Sequence, residues 1–182
     1  MIVSNSATIP VSAFYIGAFD DPYNTSSTGS GDLYVCSTSG TVTALWGISI
    51  TNNVMSPPTV GPTLTTANAA CSPLTEFNNT GTNNDRIFLS VAGSAITGDA
   101  QIRCPAATGC LMSFDIDSIL SAATPTSATA SVTGGTSGVV IDNASGTTGA
   151  SQIYFTPLAD QFCMTSGTTG GCAIQASQSA LN

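Results

Sequence analysis

The chain has 182 residues, 42% of them hydrophobic and only 7% charged, against about 25% charged in an average soluble domain. Its only side-chain cations are Arg86 and Arg103, it has no Lys and no His, and its net charge is -8. It therefore lacks the clustered positive charge that nucleic acid or an anionic lipid surface requires.

The hydrophobic fraction is that of a globular protein with a core, and 27 Thr and 24 Ser, with Asn and Gly, must supply the polar surface. No run approaches the ~18 apolar residues of a membrane-spanning helix, and the first residues lack the basic stretch and long apolar core of a secretory signal. An export signal is accordingly expected to have been removed or to lie upstream.

In chain order, "MIVSNSATIP" comes first, a short apolar segment carried by Ile2, Val3 and Ile9. After it the chain is almost entirely β-branched and aromatic runs bounded by Gly, Asn, Ser and Pro, the signature of strands. Helical periodicity is weak throughout, and its best stretch, "DSILSAAT" at 117–124, is too short to carry a helical fold. The predicted class is all-β.

Three segments share one order. A strand opens at a serine: "SAFYIGAF" from Ser12, "SPLTEF" from Ser72, "SGVVID" from Ser137. A triplet of apolar, aromatic and apolar residues follows: Leu33-Tyr34-Val35, Ile87-Phe88-Leu89 and Ile153-Tyr154-Phe155. A third strand comes next: "TVTALWGI", "CLMSFDI", "CAIQAS". Pro/Thr-rich fourth segments, "SPPTVGPTLTT" and "TPTSATASVT", close the first two copies.

The period of about 60–65 residues lies near the range of solenoids and propellers, and four antiparallel strands per copy favour propeller blades. The predicted organisation is an N-terminal strand at 1–10, blades at 11–70 and 71–135, and a third blade at 136–182 that lacks its fourth strand. Since propellers have about four to eight blades, the front strand is expected to complete the last blade or a neighbouring chain. A loan of this kind is β-augmentation and would build a ring or a filament.

The triplets and "TVTALW" resemble the propeller-like repeats of bacterial exported proteins, of the NHL-like and lactonase-like kind. That resemblance implies a propeller-like fold over most of the chain. It carries over no binding site, because the charged residues of such families at blade ends have no counterpart here.

Tyr34, Phe88 and Tyr154 are the predicted core aromatics, since a blade is covered on both faces. Trp46, at a strand end, reads as core or blade interface rather than a sugar-stacking platform. The six cysteines suit an oxidising compartment. Cys104 with Cys110 and Cys163 with Cys172 flank short Gly-containing turns, and elimination pairs Cys36 with Cys71, a bond that would staple neighbouring blades.

The absent residues strike out much chemistry. Without His there is no Ser-His-Asp or Cys-His site, and no His-ligated zinc, iron or copper. Without Lys there is no Schiff base and no Walker-type phosphate lysine. Carboxylate chemistry survives, with one glutamate, Glu76, beside Asp20, Asp21, Asp115 and Asp117.

Asp20-Asp21 and Asp115-x-Asp117 are the kind of loop carboxylates that chelate Ca²⁺, but without EF-hand spacing they read as solvated turn residues. No cofactor is expected. "NTS" at 24, "NNT" at 78 and "NAS" at 143 match the N-glycosylation pattern. The expectation is a non-enzymatic extracellular protein that assembles with copies of itself; a secreted module binding a glycan or a protein is the alternative.

Overall fold

The computed structural model describes residues 11–66, 68–79, 84–93, 109–117, 128–142, 152–163 and 169–177. Ile2, Val3, Ile9, Cys104 and residues 118–124 of the weakly helical segment lie outside them. The regular structure of the described residues is antiparallel strand with one short helix.

The run from Ser12 to Phe19, expected as one strand, is two, β1 (Val11–Phe14) and β2 (Ala18–Phe19). Between them Gly17 lies so close to the carbonyl of Tyr34 that a Cβ there would collide with it. A five-residue helix, α1 (Asp21–Thr25), follows where only turn was expected. Its cause is local: Asp20 caps it, Oδ1 accepting the Tyr23 N–H at 2.9 Å, and Pro22 sits in the first turn, where no N–H donor is needed. The Tyr23 ring stacks on Phe19 at 4.2 Å and ties the helix to β2.

β3 (Gly31–Ser39) and β4 (Val42–Thr51) pair along their whole length, Gly31 with Ile50 through Ser39 with Val42. Both β1 and β2 line the outer side of β3. Asn52 and Asn53, with φ of 51° and 64°, turn the chain into β5 (Val54–Met55), and β5 and β6 (Thr59–Thr65) both line the outer side of β4. Pro62 is tolerated in β6 because that strand is an edge. The first sheet is thus four strand positions wide.

The second sheet runs in chain order: β7 (Thr75–Asn79), β8 (Asn84–Val91), β9 (Cys110–Asp115) and β10 (Ala128–Ser131). β7 starts three residues after the expected Ser72, since Pro73 has no N–H for a ladder. The third sheet starts with β11 (Val140–Asp142) and β12 (Gln152–Phe155). A small hairpin, β13 (Gln161–Phe162) with β14 (Thr169–Gly170), then precedes the last described strand, β15 (Ile174–Ser177), which pairs with β12.

The three sheets share one cross-strand row and one backbone hydrogen bond. Cross-strand rows align Ala18–Tyr34–Gly47, Thr75–Phe88–Ser113 and Val140–Tyr154–Gln175. Three residues before each row, a backbone N–H donates to the carbonyl two residues beyond the central aromatic: Tyr15 to Cys36, Ser72 to Ser90, Ser137 to Thr156, at 3.1, 2.9 and 2.8 Å. In the second and third sheets the serine hydroxyl also accepts the N–H of Ser90 or Thr156, at 2.9 and 3.1 Å, and donates to the next carbonyl. In the first sheet Tyr15, not the expected Ser12, holds this place.

Alternation along the strands sends each row toward the following sheet and its flanking residues toward the preceding one. Tyr34, Cys36, Leu45 and Leu64 form one buried cluster with Ile87, Leu89, Met112 and Phe114. Phe88 and Leu111 form the next with Val139, Ile153 and Phe155. Val35, Ala44, Trp46 and Ile48 make a third on the far face of the first sheet.

Candidate functional site

Two places concentrate what the fold leaves for function. One is the far side of the third sheet. In the second sheet β10 lies beside β9; among the described residues no strand lies beside β15, the matching place. The row facing outward there is open as well: Val140 is 65% exposed and Tyr154 37%, whereas the equivalent Tyr34 and Phe88 are 2% and 1% exposed.

Tyr154, expected in the core, is therefore a surface residue, and the triplet contributes Ile153 and Phe155 to the core instead. The reason is that no described sheet covers the third row. Its hydroxyl accepts a hydrogen bond from Gln175 Nε2 at 3.2 Å. Trp46 is buried against Val35 and Ile48, away from any role as an exposed stacking platform, and its indole N–H has no hydrogen-bond partner among the described residues.

The cysteines act between and within these sheets. Cys36 on β3 is bonded to Cys71, just ahead of β7, with Cα atoms 6.3 Å apart, so the bond crosses from the first sheet to the second. Cys163 and Cys172, with Cα atoms 5.3 Å apart, close the β13–β14 hairpin. Cys110 is also disulfide-bonded, and Cys104, its expected partner, lies outside the described residues.

The second place is acidic and lies where the first sheet meets the second. Asp20 and Asp85 are both buried. Asp20 Oδ1 accepts the N–H groups of Tyr23 and Asp32, each at 2.9 Å, and Asp85 Oδ2 accepts the Asp21 N–H at 3.0 Å. Register puts Glu76 opposite Ile87 and Asn78 opposite Asp85, so Glu76 and Asp85 share the face that looks at the first sheet. Oδ1 of Asp32, Oε1 of Glu76 and Oδ1 of Asp85 are buried oxygens that no donor among the described residues reaches.

Burial, the hydrogen bond to Asp85 and the Asp85 charge push the Glu76 carboxyl up to about 8. Burial also raises Asp20, against the two N–H groups that favour its charged form. The Tyr34 hydroxyl is pushed up by burial and the surrounding aspartates.

Of the loop carboxylates considered for Ca²⁺, Asp20 and Asp21 are absorbed into the helix cap and this interface. Asp115 accepts from Asn84 Nδ2 at 2.6 Å and from the Asp117 N–H at 3.1 Å. Among the described residues, no three His, Cys, Asp or Glu side chains are grouped to share a metal ion.

The acidic convergence escaped the sequence reading, though a faint signal exists. Asp32 in "GDLYV" and Asp85 in "NDRIFL" occupy the start of the same strand in two repeats. What brings them to Glu76 and Asp20 is sheet packing, for which "FDDPYN" and "TEF" carry no mark.

No protein-family model, no curated protein and no solved structure matches this chain.

Proposed function

We propose that this protein is a non-enzymatic, extracellular assembly protein built of three propeller-like repeats, in which copies join by lending the N-terminal segment to the β15 side of a neighbour's third repeat. The observation that carries this reading is the cross-strand row and backbone hydrogen bond that the three sheets share, together with the side of β15 where, among the described residues, no strand corresponds to β10 of the second repeat. Edge strands with unpaired backbone groups recruit further strands.

The open Val140–Tyr154 row supplies an apolar face beside that edge, and a surface poor in charge lets copies approach at little desolvation cost. A contact of this kind is heterologous and builds a ring if it closes or a filament if it does not. The disulfides fit an oxidising environment outside the cell.

Deleting residues 1–9 and measuring mass by multi-angle light scattering tests the reading. The intact chain is expected to form oligomers and the truncated chain to remain monomeric; an unchanged oligomer would count against strand lending. A second reading, a module that holds a glycan or a protein partner, is favoured by the exposed Tyr154 ring with the Gln175 amide beside it, a pairing suited to stacking on and hydrogen bonding a sugar. Glycan capture by the truncated monomer, lost in Tyr154→Ala, would favour it.

A further inference from the structure

Two carboxyl groups that face each other in a buried interface cannot both be ionised without strong repulsion, and the usual remedy is a nearby cation. Here none is at hand among the described residues. The groups acting on Glu76 are Asp85 from β8 and Asp20 and Asp21 at the start of α1; nearby, Asp32, Asp20, Asp85 and Asp117 act on the Tyr34 hydroxyl on β3. Arg86 turns to the opposite face of the second sheet, where its Nη1 donates to Ser113 Oγ at 3.3 Å. The chain has no Lys or His, and Arg103 lies outside the described residues.

Asp85 is only 5% exposed, and among the described residues no donor reaches its Oδ1 or the buried Oε1 of Glu76. A proton held between the two carboxyls satisfies both oxygens at once, because a protonated carboxyl donates one hydrogen bond to its ionised neighbour.

We propose that the junction of the first two sheets is a proton-operated latch, in which one proton shared by Glu76 and Asp85 holds α1 and β3 against β7 and β8. When it is lost, adjacent negative charges push this end of the interface apart, while the Cys36–Cys71 bond keeps the sheets tethered. The contacts that open are those spanning this end, the Asp21 N–H to Asp85 and the Leu74 N–H to the Ile16 carbonyl, both at 3.0 Å.

Glu76 is the only glutamate in the chain, so ¹³C-carboxyl labelling of glutamate gives a single NMR signal that reports this group directly. Its midpoint in the folded protein is expected at about 8, and near 4.5 in urea; Asp85→Asn should lower the folded midpoint. Hydrogen exchange of the Asp21 and Leu74 amides, corrected for intrinsic rates, should accelerate about tenfold between pH 6 and pH 9, equivalent to about 1.4 kcal/mol of lost protection. In Glu76→Gln, whose amide still donates to Asp85 at any pH, that acceleration should vanish.

A folded midpoint near 4.5 would overturn the latch, as would equal acceleration in Glu76→Gln. Protection at pH 9 restored by millimolar Ca²⁺ alone would assign the carboxylates to a cation instead.

Discussion

Replacing both Cys36 and Cys71 by alanine removes the one described covalent link between the first and second sheets. The two positions are 35 residues apart, and a loop of that length withholds about 3.8 kcal/mol of chain entropy from the unfolded state at 25 °C in the loop-closure treatment. Cys163 and Cys172 are 9 residues apart, so the same treatment assigns their bond about 2.6 kcal/mol.

At about 2–4 °C per kcal/mol for a chain of this size, the first pair should lower Tm by roughly 8–15 °C and the second by roughly 5–10 °C. The difference should be larger in practice. Cys36 is fully buried in the core cluster that joins the two sheets, and its sulfur leaves a void there, whereas Cys163 is exposed. Differential scanning calorimetry of the two double variants under oxidising conditions measures both shifts. If removing Cys163 and Cys172 lowers Tm as much as removing Cys36 and Cys71, or if peptide mapping joins Cys36 to a residue other than Cys71, the argument that this bond staples the sheets is refuted.

Phe88→Ala empties a site between the second and third sheets and should cost about 3–5 kcal/mol, while Tyr154→Ala, at the equivalent but uncovered place, should change urea stability by about 0.5 kcal/mol or less. Trp46→Phe should be close to neutral, because the lost ring area is offset by removing a buried N–H that lacks a partner, a group that costs about 1–3 kcal/mol; Trp46→Ala, which loses the ring altogether, should cost about 3–5 kcal/mol in the same assay.

The pH dependence has a definite sign. Glu76 is raised from 4.5 to about 8 in the folded protein, so the folded state keeps a proton that the unfolded state releases. This stability is fully present below about 4.5 and is lost as pH rises through about 8. For a partly buried carboxyl, solvent screening leaves ~1–2 kcal/mol of the effect. Chemical denaturation from pH 5 to pH 9 should show that loss in the native sequence and not in Glu76→Gln, apart from a smaller loss in the same direction that the raised Asp20 adds to both.

Part of this was readable from residue order. The strand triplets, the turn formers between them and the lack of a sustained helical period specify antiparallel β-structure because strand formation is largely local, a matter of side-chain shape and alternation. Local order also misled. Asp20 and Pro22 start a short helix inside what looked like a loop, and Gly17 breaks the first strand where the chain lies against Tyr34. The serine ahead of the second and third sheets is matched in the first by Tyr15, a correspondence visible only in the backbone hydrogen bonds.

The amino-acid order by itself determined the strand-rich class, the lack of Lys and His, and the pairing of Cys163 with Cys172 across a short turn, because each depends on composition or on neighbours along the chain. Tertiary structure alone decided which triplet aromatic is buried. Tyr34, Phe88 and Tyr154 are alike in their strands, but burial depends on whether another sheet lies over the row, and that is a property of packing. It also decided the convergence of Glu76 and Asp85 with Asp20 and Asp32, since carboxylates 44 to 65 residues apart in the chain come together only when two sheets close on each other.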